Sequence, residues 1–118
     1  MDRVLNIKYY EKDKLCTEMN VNYTRGTVDV VNFTSDIVSQ ALGKREATIE
    51  NVSYFLEERV FEEGRKDKEE LLESIGLTNF DPRAICNVTH GMLSNDMFWL
   101  SFNDDISYSE IAKLRQWI

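Results

Sequence analysis

Side chains able to do chemistry are few and widely spaced in this chain of 118 residues. His90 is the only histidine, and the two cysteines, Cys16 and Cys86, lie far apart in the sequence. A zinc site needs three or four ligands, and no paired cysteines accompany the histidine. A Cys-His pair needs no sequence adjacency, so a small enzyme that uses Cys16 or Cys86 with His90 stays an alternative. We expect no catalytic residue, no metal and no cofactor.

The stretch THGMLSNDMFWLSF, residues 89–102, contains His90 directly before Gly91. Glycine is the residue that most often ends a helix in the left-handed conformation. The order of residues therefore predicts that His90 occupies the last turn of a helix, where its imidazole meets free carbonyls or the negative end of the helix dipole. We interpret His90 as structural.

Carboxylates are the most abundant candidate binding groups. The net charge is −7, and residues 46–73 hold ten acids against four bases. Such a surface repels a phosphate backbone, so we expect no direct binding to nucleic acid and an attraction to a basic protein surface. A solvated, solubilising helix face is the alternative. The predicted partner-binding residues are Glu57, Glu58, Glu62, Glu63, Glu69, Glu70 and Glu73.

Composition predicts one globular domain spanning residues 1–118, since 42% of the residues are hydrophobic and 30% are charged. Uncharged runs such as 97–103 are too short to cross a bilayer, and the N-terminus lacks the apolar stretch of a secretion signal. We therefore expect a cytoplasmic protein that does not associate with membranes. Both cysteines should be reduced, with at least one of them buried.

Residues 1–33 predict a β-meander. Residues 15–23 alternate strictly, so that Cys16 should share a polar face with Glu18 while Leu15 and Met19 share the apolar one. Residues 3–10 alternate in the same way, and charged residues 11–14 should form the hairpin loop between the two strands. In a third strand, 27–33, the alternation slips at Val30 and Val31, which predicts a bulge or the end of the strand.

Residues 34–91 predict helices, followed by a strand at 97–102 and a last helix at 107–117. Five helix starts carry capping residues: Thr34 or Ser35 for a helix at 36–42, Thr48, Asp67 with Glu70 as a capping box, Asp81 before Pro82, and Ser107 with Glu110 as a second capping box. Phe98 and Trp99 should point to opposite sides of their strand, which makes one of them a candidate surface anchor if one face is uncovered. The whole pattern predicts a single α+β domain with a small, mainly antiparallel sheet and four to five short helices.

Two stretches, VSYFLEERVFEEGRKDKEELLESIGL and THGMLSNDMFWLSF, resemble the N-terminal portion of HipA-like Ser/Thr kinase toxins and related mobile-element proteins of Gram-positive bacteria. The matching pieces are 56–65, 71–77, 90–93 and 96–100, and NDDISYSEIAKL is similar to the family's linker into the kinase core. The similarity spans roughly residues 50–115. Residues 1–45 are only loosely similar, and the kinase body has no counterpart here.

The resemblance implies a free-standing relative of a non-catalytic kinase module. Two roles follow by analogy: an anti-CRISPR-like inhibitor of a nucleic-acid-handling enzyme, carried by a phage or another mobile element, or an antitoxin-like partner of a HipA-type kinase. Both require a larger partner, a nuclease or a kinase, with a basic surface. We expect a monomer or a homodimer; in a purely structural homodimer, the edge of the meander would pair across a two-fold axis.

Overall fold

The computed structural model describes residues 3–60, 64–93, 97–103 and 106–114. These residues form four strands and four α-helices, with a short 3₁₀ turn at Ile37–Ser39. The strands are β1 (Val4–Glu11), β2 (Lys14–Asn22), β3 (Thr27–Asn32) and β4 (Phe98–Phe102). The helices are α1 (Ile49–Glu58), α2 (Lys68–Ser74), α3 (Pro82–Thr89) and α4 (Tyr108–Leu114).

All strands join one antiparallel sheet in the order β3-β2-β1-β4. The first three strands form the predicted meander, and β4 returns after the helices to pair with β1. The hairpin between β1 and β2 is tighter than predicted, because Glu11 and Lys14 pair directly. The predicted α+β class with a small antiparallel sheet is confirmed.

Cys16 overturns the predicted alternation in β2. The register shifts between Tyr9 and Tyr10, which pair with Thr17 and Leu15, so Cys16 is the extra residue of a β-bulge. The bulge turns Cys16 inward, and its side chain is fully buried instead of lying on the polar face with Glu18. The slip at Val30 and Val31 marks no bulge, because β3 keeps a regular register up to its last residue.

The helix predicted at 36–42 is wrong. Only Ile37–Ser39 turns, as one 3₁₀ turn that Asp36 caps in place of Thr34 or Ser35. The chain then becomes extended at Gln40, and the amide of Ala41 donates to the hydroxyl of Thr17 in β2 at 3.1 Å. This buried bond to the sheet replaces the bond that a continuing helix would supply.

Three of the other predicted helix starts are confirmed by their capping bonds. Thr48 accepts from the amide of Asn51, Asp81 accepts from the amide of Arg83, and Ser107 accepts from the amide of Glu110 at 3.4 Å. The predicted capping box at Asp67 does not form, because no side-chain capping bond is present and its carboxylate pairs with Arg65 at 2.6 Å. A charged partner two residues upstream thus takes the oxygen that a cap would use.

The core is split by β4 into two clusters. On the inner face of the sheet, Phe98 and Leu100 join a large cluster built by β1, β2, α1 and α3. On the outer face, Trp99 packs with Met92 and Ile111 of α4 and stacks on Tyr10 at 4.3 Å between ring centroids. Side chains on both faces of β4 are therefore packed, and neither Phe98 nor Trp99 serves as an exposed anchor.

The turn after α3 is closely packed at Gly91, which predicts a sharp difference between two glycines. Gly91 has φ +62, and an added Cβ would lie 2.7 Å from Cδ1 of the buried Leu100. Gly26 has φ +70 with no atom within 4 Å of such a Cβ. Gly26→Ala should cost about 1 kcal/mol for the left-handed backbone alone. Gly91→Ala should cost about 2 kcal/mol more because of overpacking, measured by urea unfolding. Equal losses in the two variants would contradict this packing.

Candidate functional site

The outer edge of β4 is where the single histidine and a buried arginine meet. Residues at alternate positions of an edge strand direct their backbone N–H and C=O away from the neighbouring strand. In β4, these are the groups of Phe98, Leu100 and Phe102, because Lys12 donates to the carbonyl of Met97 on the opposite side. An uncovered row of such groups invites pairing with another chain. Here, other parts of the same chain bond to the carbonyl of Phe98 and to both backbone groups of Leu100.

His90 covers the backbone of Leu100. The helix ends at Thr89, and His90 adopts the left-handed conformation with φ 55. Its carbonyl accepts from the amide of Leu100 at 2.6 Å, and its Nδ1 lies 3.0 Å from the carbonyl oxygen of Leu100, to which it donates. The imidazole meets a carbonyl, as predicted, but that carbonyl belongs to β4 and not to the preceding helix.

Arg59 covers the neighbouring positions and was missed by the sequence analysis. Its Nε donates to the carbonyl of Gly91 at 2.9 Å, and its Nη2 donates to the carbonyl of Phe98 at 3.0 Å. The residue is only 6% exposed, and its guanidinium lies 5.8 Å from the centroid of the Tyr9 ring. One signal could have revealed it, since Arg59 falls on the apolar stripe of α1, four residues after Phe55.

The two cysteines are buried thiols. Cys86 in α3 donates its Sγ–H to the carbonyl of Leu56 at 3.5 Å. Burial raises the pKa of the Cys86 thiol to about 12, although the positive charge of Arg59 opposes the shift. Burial also raises the pKa of Cys16. A nucleophilic cysteine needs an accessible thiolate, and this environment disfavours one.

A cleft of about 360 Å³ opens between the 3₁₀ turn and the C-terminal end of α1. Tyr9 and Phe55 lie at its apolar lining, and Arg59 contributes to the same wall. Glu58, which pairs with Arg45 at 2.7 Å, also lines the cleft. Val38, also on the lining, is 84% exposed, so its side chain projects into solvent beside the cleft.

The predicted acidic residues lie on two separate helices. Glu57 and Glu58 are exposed near the end of α1, whereas Glu69, Glu70 and Glu73 are exposed on α2. Glu62 and Glu63 lie outside the described residues. Helical spacing places Glu50, Tyr54 and Glu57 on the side of α1 opposite its buried stripe, and Tyr54 is 50% exposed there. The α1 pair alone adjoins the cleft, through Glu58.

Other kinds of site find little support in the part of the chain that the structure describes. Its residues contain no group of three or more His, Cys, Asp or Glu side chains arranged to hold a metal ion. Among its helices, none has the length and apolar character needed to cross a membrane. No family model, curated protein or solved structure matches the chain. The similarity to HipA-like modules therefore stays a hypothesis that rests on the quoted residues.

Closure of the β4 edge predicts unequal effects of two substitutions. Arg59→Met removes a donor from two buried carbonyls and should lower the free energy of unfolding by about 3 kcal/mol. His90→Ala removes one side-chain bond while leaving the backbone bond to Leu100, and should cost about 1 kcal/mol. Urea unfolding measures both. A loss from His90→Ala as large as that from Arg59→Met would contradict the assigned roles.

The raised pKa of Cys86 predicts a loss of stability in alkali. Above the ordinary thiol pKa of 9.0, the unfolded chain releases the proton that the folded chain retains up to about pH 12. Within that window, the thiol therefore favours unfolding by about 1.4 kcal/mol per pH unit. Below it, the thiol makes no contribution to the pH dependence of stability. When the pH is raised from about 8 to about 10, the free energy of unfolding of the Cys86→Ala variant should fall by about 1.4 kcal/mol less than that of the unsubstituted protein. The measurement is urea unfolding of both proteins at several pH values. Parallel curves of the free energy of unfolding against pH would contradict the prediction.

Proposed function

We propose that this protein is a non-enzymatic binding module that docks onto a basic surface of a larger protein and thereby inhibits or regulates it. The observation that carries the proposal is the position of Val38. A valine that is 84% exposed lines a cleft to which Glu58 also contributes a carboxylate. Apolar anchors beside a pocket, surrounded by charged residues, are the arrangement that protein interfaces use.

The docking surface extends from the cleft along α1. Ile37, 46% exposed, enlarges the apolar part next to Val38. On the helix, Tyr54 supplies an amphipathic aromatic group between Glu50 and Glu57, and tyrosine is enriched among binding hot spots. We call residues Ile37, Val38, Tyr54, Glu57 and Glu58 the α1 surface.

Charge determines the class of partner. Carboxylates on the α1 surface contribute to the net charge of −7. This charge speeds encounter with a basic protein and repels acidic ones. Enzymes that handle nucleic acid present basic grooves to phosphates, so an acidic module can compete for the same groove. An anti-CRISPR-like inhibitor carried by a mobile element is the form of this proposal that we favour.

An antitoxin-like partner of a HipA-type kinase is the second candidate. It is favoured by the similarity of residues 50–115 to the N-terminal module of those kinases, because such a module contacts a kinase body in the same polypeptide. The α1 surface belongs to that stretch only through Tyr54, Glu57 and Glu58, whereas Ile37 and Val38 precede it.

A small Cys-His enzyme fits the arrangement poorly. Cys86 has no exposed surface, and its raised pKa opposes formation of a thiolate near neutral pH. The Nδ1 of His90 is engaged with the carbonyl of Leu100. These contacts support a structural role for both residues, and they support the choice of a binding function.

The test is affinity capture of the native partner from the source cell, identified by mass spectrometry and then purified for kinetic measurements. Val38→Asp combined with Glu57→Lys should weaken binding at least tenfold, because an apolar anchor is lost and an attraction becomes a repulsion. Association should also become slower and less dependent on salt. The measurement is surface plasmon resonance at several ionic strengths.

A matched variant on α2 separates the α1 surface from the general effect of charge. Glu69→Lys combined with Glu73→Lys changes the net charge at least as much but leaves the cleft untouched. We expect this variant to alter the affinity by less than about threefold. Full binding by the Val38 and Glu57 variant, or equal weakening by the α2 variant, would contradict docking through the α1 surface.

A further inference from the structure

The outer edge of β3 differs from that of β4. The pairing of Thr17 with Asn32, together with the bond from the Phe33 amide to the Cys16 carbonyl, fixes which groups face β2. It follows that the backbone groups of Val28, Val30 and Asn32 face away from the sheet. Within residues 3–60, 64–93, 97–103 and 106–114, no backbone partner bonds to these outward groups.

We propose that the outer edge of β3 accepts an extended, basic segment of a partner protein as a fifth strand. The proposal goes beyond the function proposed above, because it concerns another surface and does not depend on the α1 surface. Addition of a strand to an exposed edge supplies affinity through main-chain bonds and specificity through alternate side chains. Within the six residues of β3, the outward N–H and C=O groups of Val28, Val30 and Asn32 form the row of donors and acceptors for this purpose.

The side chains that flank the edge define the chemistry of the incoming strand. On the inner face, Val28 and Val30 are half-buried against the core, so apolar residues opposite them would extend that core. On the outer face, Asp29 is exposed and lies opposite Asn20, which suits a lysine or arginine in the incoming strand. A segment that alternates apolar and basic residues satisfies both faces.

Val31 and Phe33 favour the same occupant. Each is 52% exposed beside the edge, on the outer-face side that Asp29 also occupies. The hydrocarbon stems of lysine or arginine can cover apolar surface while their charges reach a carboxylate or water. A second copy of this chain is a poorer occupant, because two chains of net charge −7 repel each other.

The experiment uses the whole protein and an end-blocked synthetic peptide in which valine alternates with lysine. Amide exchange followed by NMR should show, in the free protein, slow exchange for Thr27, Asp29 and Val31 and fast exchange for the three outward amides. Addition of the peptide should slow exchange at Val28, Val30 and Asn32 at least tenfold. Unchanged exchange at saturating peptide would overturn the proposal.

Two peptides of equal composition serve as the backbone control. In one peptide, N-methyl groups replace the amide hydrogens on the peptide edge that faces β3, which should abolish binding. In the other peptide, the N-methyl groups lie on the opposite edge, which should preserve binding. Similar binding of both peptides would mean that the protein reads charge alone and would overturn strand addition. Slow exchange of the outward amides that grows with protein concentration, without peptide, would assign the edge to a second copy and equally overturn the proposal.

Charge reversal tests the assigned chemistry. Asp29→Lys should lower the affinity for the lysine peptide about fivefold, in the range expected when a cross-strand pair changes from attraction to repulsion. The same substitution should raise the affinity for a peptide with glutamate in place of lysine. Glu50→Lys, the matched variant on α1, changes the net charge equally and should leave both peptides within about twofold. Equal responses of the two variants would contradict a specific role for Asp29.

Discussion

Burial of the Arg59 guanidinium is the constraint on which the remaining structure depends. A cation withdrawn from water is costly unless its donors are bonded, and two of the bonds that satisfy it here end on the carbonyls of Gly91 and Phe98. Those carbonyls belong to the turn after α3 and to β4, while Arg59 itself ends α1. One side chain thereby fixes the relative positions of three elements that are distant in sequence. The left-handed turn at His90 and Gly91 follows from the same requirement, because it brings the Gly91 carbonyl within reach.

The two edges of the sheet show what this constraint achieves and where it stops. At β4, Arg59 and His90 occupy outward backbone groups that would otherwise attract another strand. The rings of Tyr9 and Phe98 stack at 4.9 Å beside the guanidinium and shield it from solvent. At β3, the described chain supplies no comparable cover, and the only charge on the strand is Asp29. Side chains thus cover outward groups of β4, whereas the described chain leaves the outer edge of β3 uncovered.

Sequence patterns predicted those elements whose burial repeats along the chain. Strict alternation located β1 and β2, and the spacing of Val52, Phe55 and Leu56 located α1. Patterns failed where one contact from another element decided the outcome. The bulge at Cys16 depends on the register with β1, and the partners of Arg59 and His90 come from a strand that lies far away in sequence. No local propensity encodes such bonds, although an arginine on an apolar stripe is a sign that one exists.

The candidate binding site illustrates the same limit. In a helix spanning 36–42, Ile37, Val38 and Ala41 would form a single stripe and would all count as core. The hydroxyl of Thr17 instead binds the amide of Ala41 and draws that part of the chain against the sheet, so Ala41 and Leu42 are buried. The turn that precedes them must then project outward, and it leaves Val38 in solvent beside the cleft. Val38, the apolar residue on which the proposed docking surface depends, is therefore exposed because of a hydrogen bond made elsewhere, and hydrophobic spacing alone assigns it to the interior.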